Sequence, residues 1–229
     1  MVDRPILFSA PMVRALLAGT KTQTRRVLQG SALSAHEPQW EAVESDDGVW
    51  RLQADTGEVR GQIVPDIRFE AGDRLYVREA WRTWNTADRQ APCDILPHTY
   101  SIYYEATPNT DHIRGPLAFD AGKFRQAMHM PRWASRLTLT VTEVRVQRLQ
   151  DISESDAVAE GCFKDKASGR VFENKAAMHV GGEHWCNARE WYADLWDHLN
   201  ADRGFEWDTD PWVVAISFTV ERRNIDAAA

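Results

Sequence analysis

Cysteine is scarce: Cys93, Cys162 and Cys186 are the only three in 229 residues. An odd, scattered set excludes a disulfide framework and fits a reducing compartment, so all three are expected as free thiols. Long apolar runs are also missing, and the N-terminus lacks the basic and apolar regions of a secretory signal. The expectation is a cytoplasmic protein with no membrane partner. Positive charge is in deficit, with 27 Lys and Arg against 34 Asp and Glu and a formal net charge of -7. That argues against the extended electrostatic grip on duplex DNA, which needs many basic contacts along the backbone, while leaving room for a local basic pocket. No internal repeat or low-complexity tract occurs. Metal-ligand spacing is lacking too: Cys162, His179, His184 and Cys186 come nearest, match no common zinc pattern, and are read as decoration of a polar insertion, with no metal or cofactor expected.

What is present is organised around Ser9 to Arg26. Ser9 is a suitable N-cap, Pro11 falls in the first turn, Met12, Val13, Leu16 and Leu17 share one helical face, and Gly19 supplies a left-handed stop. Lys21, Thr24, Arg25 and Arg26 then crowd into six positions ahead of an expected strand. In a strand, Thr22, Thr24 and Arg26 share one face, so Lys21 reaches the same pocket as Thr24 only from the bend before it. On composition alone this is equally a solvated basic turn.

The rest reads as mixed α+β. Pro5 to Phe8 is an expected first strand, and 30–38 is polar and irregular. Trp40 to Ile63 reads as a hairpin turning at Asp55-Thr56-Gly57. Ala71-Gly72-Asp73 turns into Leu75–Glu79, a strand expected to be central. Trp81 and Trp84 follow it and either stack a base or pack a core. Loop-like sequence fills 85–98, Thr99–Glu105 alternates as a strand, and 107–125 is again irregular. Arg136–Leu149 is the longest strand candidate, with Arg132 and Arg136 near its start facing either a pocket or a solvated rim. Ile152–Gly161 reads as a short helix with Ser153 as N-cap and Gly161 just past its end. There Glu160 faces the negative end of the macrodipole, an unfavourable placement that a general acid or base tolerates better than a structural residue does. Little periodicity marks 163–182. Asn187 caps an amphipathic helix with Trp191, Leu195, Trp196 and Leu199 on its apolar face. Trp212–Val220 is a final apolar strand, and 227–229 an expected disordered tail.

The spacing Gly19-x-Lys21-x-x-Thr24-x-Arg26 is similar to the G-x-K-x-x-T-x-R signature of the ASCH domain family. The apolar helix before the glycine, Gly72-Asp73, and Ile152 to Gly161 follow in the family's order. The chain therefore resembles the enlarged ASCH proteins of phage and prophage genomes. That resemblance implies one domain over 1–229 built on a PUA-like small β-barrel with flanking helices. Sizeable insertions would occupy about 30–70, 85–130 and 162–186, roughly half the chain beyond a minimal domain of about a hundred residues.

ASCH proteins that hydrolyse acylated cytidine work with a lysine and a threonine of the signature and a glutamate at the end of such a helix. The resemblance thus implies Lys21, Thr24 and Glu160 as catalytic residues of an N4-acetylcytidine amidohydrolase. Thr24 would be the nucleophile or would position a water, Lys21 would take its proton, and Glu160 would protonate the leaving amine. Arg25, Arg26, Glu79, Trp81 and Trp84 are the expected substrate-binding residues, with Arg25 or Arg26 helping to lower the pKa of Lys21. The expected partner is a small nucleoside or related nucleotide, or single-stranded RNA. Two other readings stand beside this one: a non-catalytic RNA- or modified-base-binding PUA-like module, and a ribonuclease using the same basic cluster.

Overall fold

The computed structural model describes residues 2–28, 40–45, 50–54, 59–62, 67–107 and 121–227. In chain order these form β1 (Asp3–Leu7), α1 (Ala10–Ala18), β2 (Gln23–Val27), β3 (Trp40–Glu44), β4 (Trp50–Ala54) and β5 (Val59–Gln62). There follow β6 (Arg74–Arg78), β7 (Trp81–Arg82), β8 (Tyr103–Tyr104), β9 (Thr138–Arg148) and α2 (Glu154–Ala159). The last are β10 (Phe163–Lys164), β11 (Val171–Phe172), α3 (Lys175–His179), β12 (His184–Trp185), α4 (Ala188–Asn200) and β13 (Trp212–Glu221). The fold is mixed α+β, with a five-stranded sheet of order β1-β6-β9-β13-β2 and several small sheets. Among the described residues no closed barrel is formed. Strand β6 lies between β1 and β9, and the middle of the sheet is β9.

The chain divides into two compact units, both discontinuous in sequence. The first comprises Met1–Gly19, Gly72–Val141 and Thr219–Ala229. Here β1 runs parallel to β6, and β6 pairs antiparallel with the start of β9, Leu75 opposite Leu139. Helix α1 begins at Ser9 with Pro11 in its first turn, buries Val13 and Leu16, and ends where Gly19 at φ 72° returns its N–H to the carbonyls of Ala15 and Leu16. Only a residue without Cβ adopts that left-handed backbone cheaply, so glycine ends the helix where the sequence placed it. A second core gathers Trp81, Ala87, Ile95, Met130 and Ala134. The strand expected over Thr99–Glu105 shrinks to β8, because only Tyr103 and Tyr104 find partners, on the equally short β7.

The second unit comprises Thr20–Ala71 and Thr142–Phe218. Its core packs Leu149, Ile152, Ala157, Cys162, Val171, Ala188, Trp191, Tyr192, Trp196 and Val213. Strand β2 pairs antiparallel with β13, setting Gln23 opposite Ser217, Thr24 opposite Ile216 and Arg25 opposite Ala215. A small residue across from Arg25 leaves room for its long side chain beside the ladder. Strands β3, β4 and β5 form a three-stranded antiparallel sheet in place of the expected simple hairpin. The turn at 55–57, the irregular stretch 30–38, most of 107–125 and the end of the tail lie outside the described residues. The segment after Cys162, which carries no sequence period, forms the small sheet β10-β11-β12 with α3. Two-residue strands leave too few alternations to register as a pattern. On α4 the buried positions are Ala188, Trp191, Tyr192, Trp196 and Asn200, while Leu199, expected inside, is 42% exposed.

Candidate functional site

Helix α2 is short and cleanly bounded. The Ser153 hydroxyl accepts from the Asp156 N–H at 3.1 Å, and Gly161 at φ 121° turns the chain away after Glu160. A helix end leaves carbonyls without intrahelical donors, and residues 20–22 supply them. The Thr22 N–H donates to the Ala159 carbonyl at 2.8 Å, the Lys21 Nζ to the Glu160 carbonyl at 2.9 Å and the Thr20 hydroxyl to the Gly161 carbonyl at 3.4 Å. A cation at the C-terminal end of a helix is favourable in itself.

The same amine donates to Glu160 Oε2 at 2.7 Å. Arg25 Nη1 donates to Glu160 Oε1 at 3.1 Å, so the carboxylate is held by two cations, one on each oxygen. Lys21 is 0% exposed, Arg25 3% and Glu160 4%. Arg25 also donates to Gln23 Oε1 at 2.6 Å and to Asp156 Oδ2 at 3.3 Å. Tyr192 of α4 completes the enclosure, its ring 5.8 Å from the Arg25 guanidinium.

Burial pushes the Lys21 amine below its ordinary pKa, Glu160 opposes the shift, and the charges of Arg26 and Arg25 add to it. Dehydration leads, because an ammonium with no water around it loses its largest stabilisation, and the two arginines are the smaller contribution. The Tyr192 phenol is driven well above its usual range, first by burial and then by the Glu160 charge.

Thr24 is buried in β2, and its Oγ1 accepts from Arg26 Nη1 at 2.8 Å. Of the two arginines expected near the substrate, Arg25 donates directly to the Glu160 carboxylate. Lys21, Gln23 and Arg25 share one parity and reach the carboxylates of α2, while Thr24 and Arg26 pair with each other on the alternate parity. Arg26 is half-buried and within electrostatic reach of both Glu160 and Lys21.

Glu79, Trp81 and Trp84 belong to the first unit. Glu79 is 1% exposed and makes a two-pronged pair with Arg136, at 2.9 and 3.0 Å. Arg136 also stacks 3.9 Å from the Tyr104 ring centroid. Trp81 is wholly buried with the Arg125 guanidinium 5.3 Å from its ring, so it packs a core instead of offering a face to a base. Trp84 is half-buried at the entrance to a single turn. Arg132 turns to Asp3 and Asp226 at the surface.

Three residues at the cluster went unnamed in the sequence reading: Gln23, Asp156 and Tyr192. Each carried a signal. Gln23 lies two before Arg25 on a strand, Asp156 lies four before Glu160 on a helix, and Tyr192 lies midway between Ala188 and Trp196 at helical spacing. Among the described residues, no group of three His, Cys, Asp or Glu is placed to hold a metal ion, and no helix is long and apolar enough to cross a membrane. Compared with protein-family models, curated proteins and solved structures, the chain matches none.

Proposed function

We propose that this chain is an ASCH-type, PUA-like amidohydrolase of the cytoplasm that removes the acyl group from N4-acylated cytidine. The observation that carries the reading is the buried contact of Lys21 Nζ with Glu160 Oε2 at 2.7 Å, made by two of the three residues that the resemblance marks as catalytic.

Amide hydrolysis adds hydroxide to the acyl carbon and a proton to the departing amine. A base must therefore take a proton from the nucleophile, and an acid must return one to nitrogen. Lys21, whose pKa burial lowers, is the group that accepts the nucleophile's proton. Direct contact lets that proton pass to Glu160, which delivers it to the exocyclic nitrogen as the C–N bond breaks. Thr24 Oγ1 accepts a hydrogen bond from Arg26, leaving its own proton to be given up with a cation beside the oxygen; the acyl-threonine ester formed as the amine departs is then cleaved by water, which releases the acid and returns a proton to Thr24. Hydroxyl and amine already make a nucleophile and base, so the scheme uses no metal.

A second reading, a non-catalytic reader of RNA or a modified base, is favoured by one feature. The Glu160 charge is already answered inside the protein by Lys21 and Arg25, an arrangement that also serves a purely structural joint.

Incubating the protein with N4-acetylcytidine and, separately, with single-stranded RNA distinguishes the readings when cytidine release and RNA integrity are followed together. Cytidine release is expected. Folded Lys21→Met and Glu160→Gln variants should lose about 100-fold or more, the scale of a general acid–base contribution. Undiminished turnover in Thr24→Val would remove Thr24 from the nucleophile role and leave water in it. Retention of intact RNA without cytidine release would transfer the site to the reader, and RNA cleavage would make it a ribonuclease.

A further inference from the structure

Arg25 touches both Asp156 of α2 and Glu160 at its end. Its guanidinium is buried, and its Nε finds no hydrogen-bond partner, so its hydrogen bonds run through the two Nη groups. Nη1 is shared between Gln23 Oε1 and Glu160 Oε1, at 2.6 and 3.1 Å. Nη2 goes to Asp156 Oδ2 at 3.3 Å.

Asp156 is four residues before Glu160, which places both acids on one face of the helix, where like charges repel. The cation between them removes that repulsion. Gln23 ties the arrangement together: its amide donates to Asp156 Oδ1 at 3.2 Å and to the Ser217 hydroxyl at 3.1 Å while its carbonyl oxygen receives Arg25. From the outer side Arg145 Nη2 contacts both oxygens of Asp156 at 3.1 Å. Burial alone would push the Asp156 carboxyl up, but Arg145, followed by Gln23 and Arg25, brings it below the usual range, so it is charged at neutral pH.

A guanidinium fork matches one carboxylate in a two-pronged pair, and that is its preferred geometry. Here the fork is split. Because Asp156 keeps Nη2, Arg25 offers Glu160 a single N–H, on Oε1, and Oε2 is left to Lys21. Without Asp156 the fork is free to rotate onto Glu160 and to compete with Lys21 for it.

We propose that Asp156 is a positioning residue which, through Arg25 and Gln23, holds the Glu160 carboxylate so that one oxygen stays with Lys21. Its consequence for turnover rests on the amidohydrolase reading. Its geometry does not.

Asp156→Asn keeps the shape and removes the charge, and Asp156→Glu restores the charge. The first readout is the titration of Lys21, followed by NMR of side-chain 15N-labelled lysine with the signal assigned from Lys21→Met. The charges that bear on Lys21 include Glu160 at the end of α2 and Arg25 and Arg26 of β2, and Tyr192 of α4 bears on Glu160. In Asp156→Asn the protonated amine loses part of its counter-charge to Arg25, and its midpoint should fall by about one pH unit. The second readout is kcat against pH with N4-acetylcytidine. Asp156→Asn should lower kcat about 10- to 100-fold and move the limb that follows Lys21 in the same direction, with KM held within about twofold, and Asp156→Glu should recover most of the loss.

A folded Asp156→Asn protein with an unchanged Lys21 midpoint and an unchanged pH profile would overturn the proposal and leave Asp156 a purely structural residue. Should Asp156→Asn not fold, Gln23→Leu removes the other tether of Arg25. It should shift Lys21 the same way, and no shift would overturn the proposal equally. If the unaltered protein releases no cytidine, the amidohydrolase reading fails by itself, and the NMR titration still decides the positioning role.

Discussion

Glu160 is held from two sides, by Lys21 on one oxygen and Arg25 on the other, in surroundings with almost no water. Removing one member of such a group strands the others. Glu160→Ala leaves two buried cations without their shared acceptor and should cost about 3–5 kcal/mol, read from urea unfolding. The pair Lys21→Met with Glu160→Leu should cost less than Glu160→Ala alone, because an ammonium no longer sits unpaired and Arg25 keeps Asp156 and Gln23. For this reason the functional test uses Met and Gln substitutions and not truncation. Cysteine offers a separate check. Cys162 is buried with its thiol pushed up to about 12, first by burial and then by the Glu154 charge, whereas Cys93 and Cys186 are exposed. Thiol titration of the native protein at neutral pH should label Cys93 and Cys186 and spare Cys162 until denaturant is added.

The helices show which local signals survive folding. At α4, Asn187 Oδ1 accepts from the Glu190 N–H at 2.9 Å, and the Glu154 carboxylate accepts from the Ala188 N–H at 3.0 Å. One helix's first residue thus caps another helix, and Lys164 pairs with the same carboxylate at 2.7 Å. Asn187→Ala should lower stability by about 1 kcal/mol in a denaturant titration without changing the far-UV spectrum. Asn187, Ser153 and Gly19 were all legible beforehand, because a cap is a contact between residues three or four apart. The small sheets were not legible. Strand β11 anchors β10 and β12 through Val171, which is packed in the second unit's core, and two residues cannot display a period.

Charge pairing over the whole molecule sets its response to acid. Asp3 and Asp226 are held below the ordinary carboxylate range chiefly by hydrogen bonds from Arg132. Asp156 and Glu154 are also lowered, their burial outweighed by Arg145 in the first case and by Lys164 and the α4 N–H groups in the second. Between the folded and unfolded values the unfolded chain binds more protons, so unfolding gains ground as pH falls. These contributions are complete above the unfolded values of 3.8 and 4.5 and are lost as pH drops through the folded ones. Urea midpoints measured downward from pH 6 should therefore stay level until about pH 5 and then fall. Arg132→Gln should flatten that fall, since it removes the main cause of the low values at Asp3 and Asp226.

Sequence by itself determined the elements whose information is local: α1 from Ser9 to Gly19, α2 behind Ser153, α4 behind Asn187, the long alternating strand β9 and the apolar run of β13. Caps act over one turn, and alternation needs only the strand that carries it. Tertiary structure alone decided who meets whom. Lys21 and Glu160 are 139 positions apart, and nothing in either neighbourhood specifies that Arg25 shares the carboxylate, or that Tyr192 closes over it. Those choices follow from the β2–β13 register and the packing of α2 and α4 on the second unit's core. Long-range pairing of this kind is governed by the burial of many residues at once.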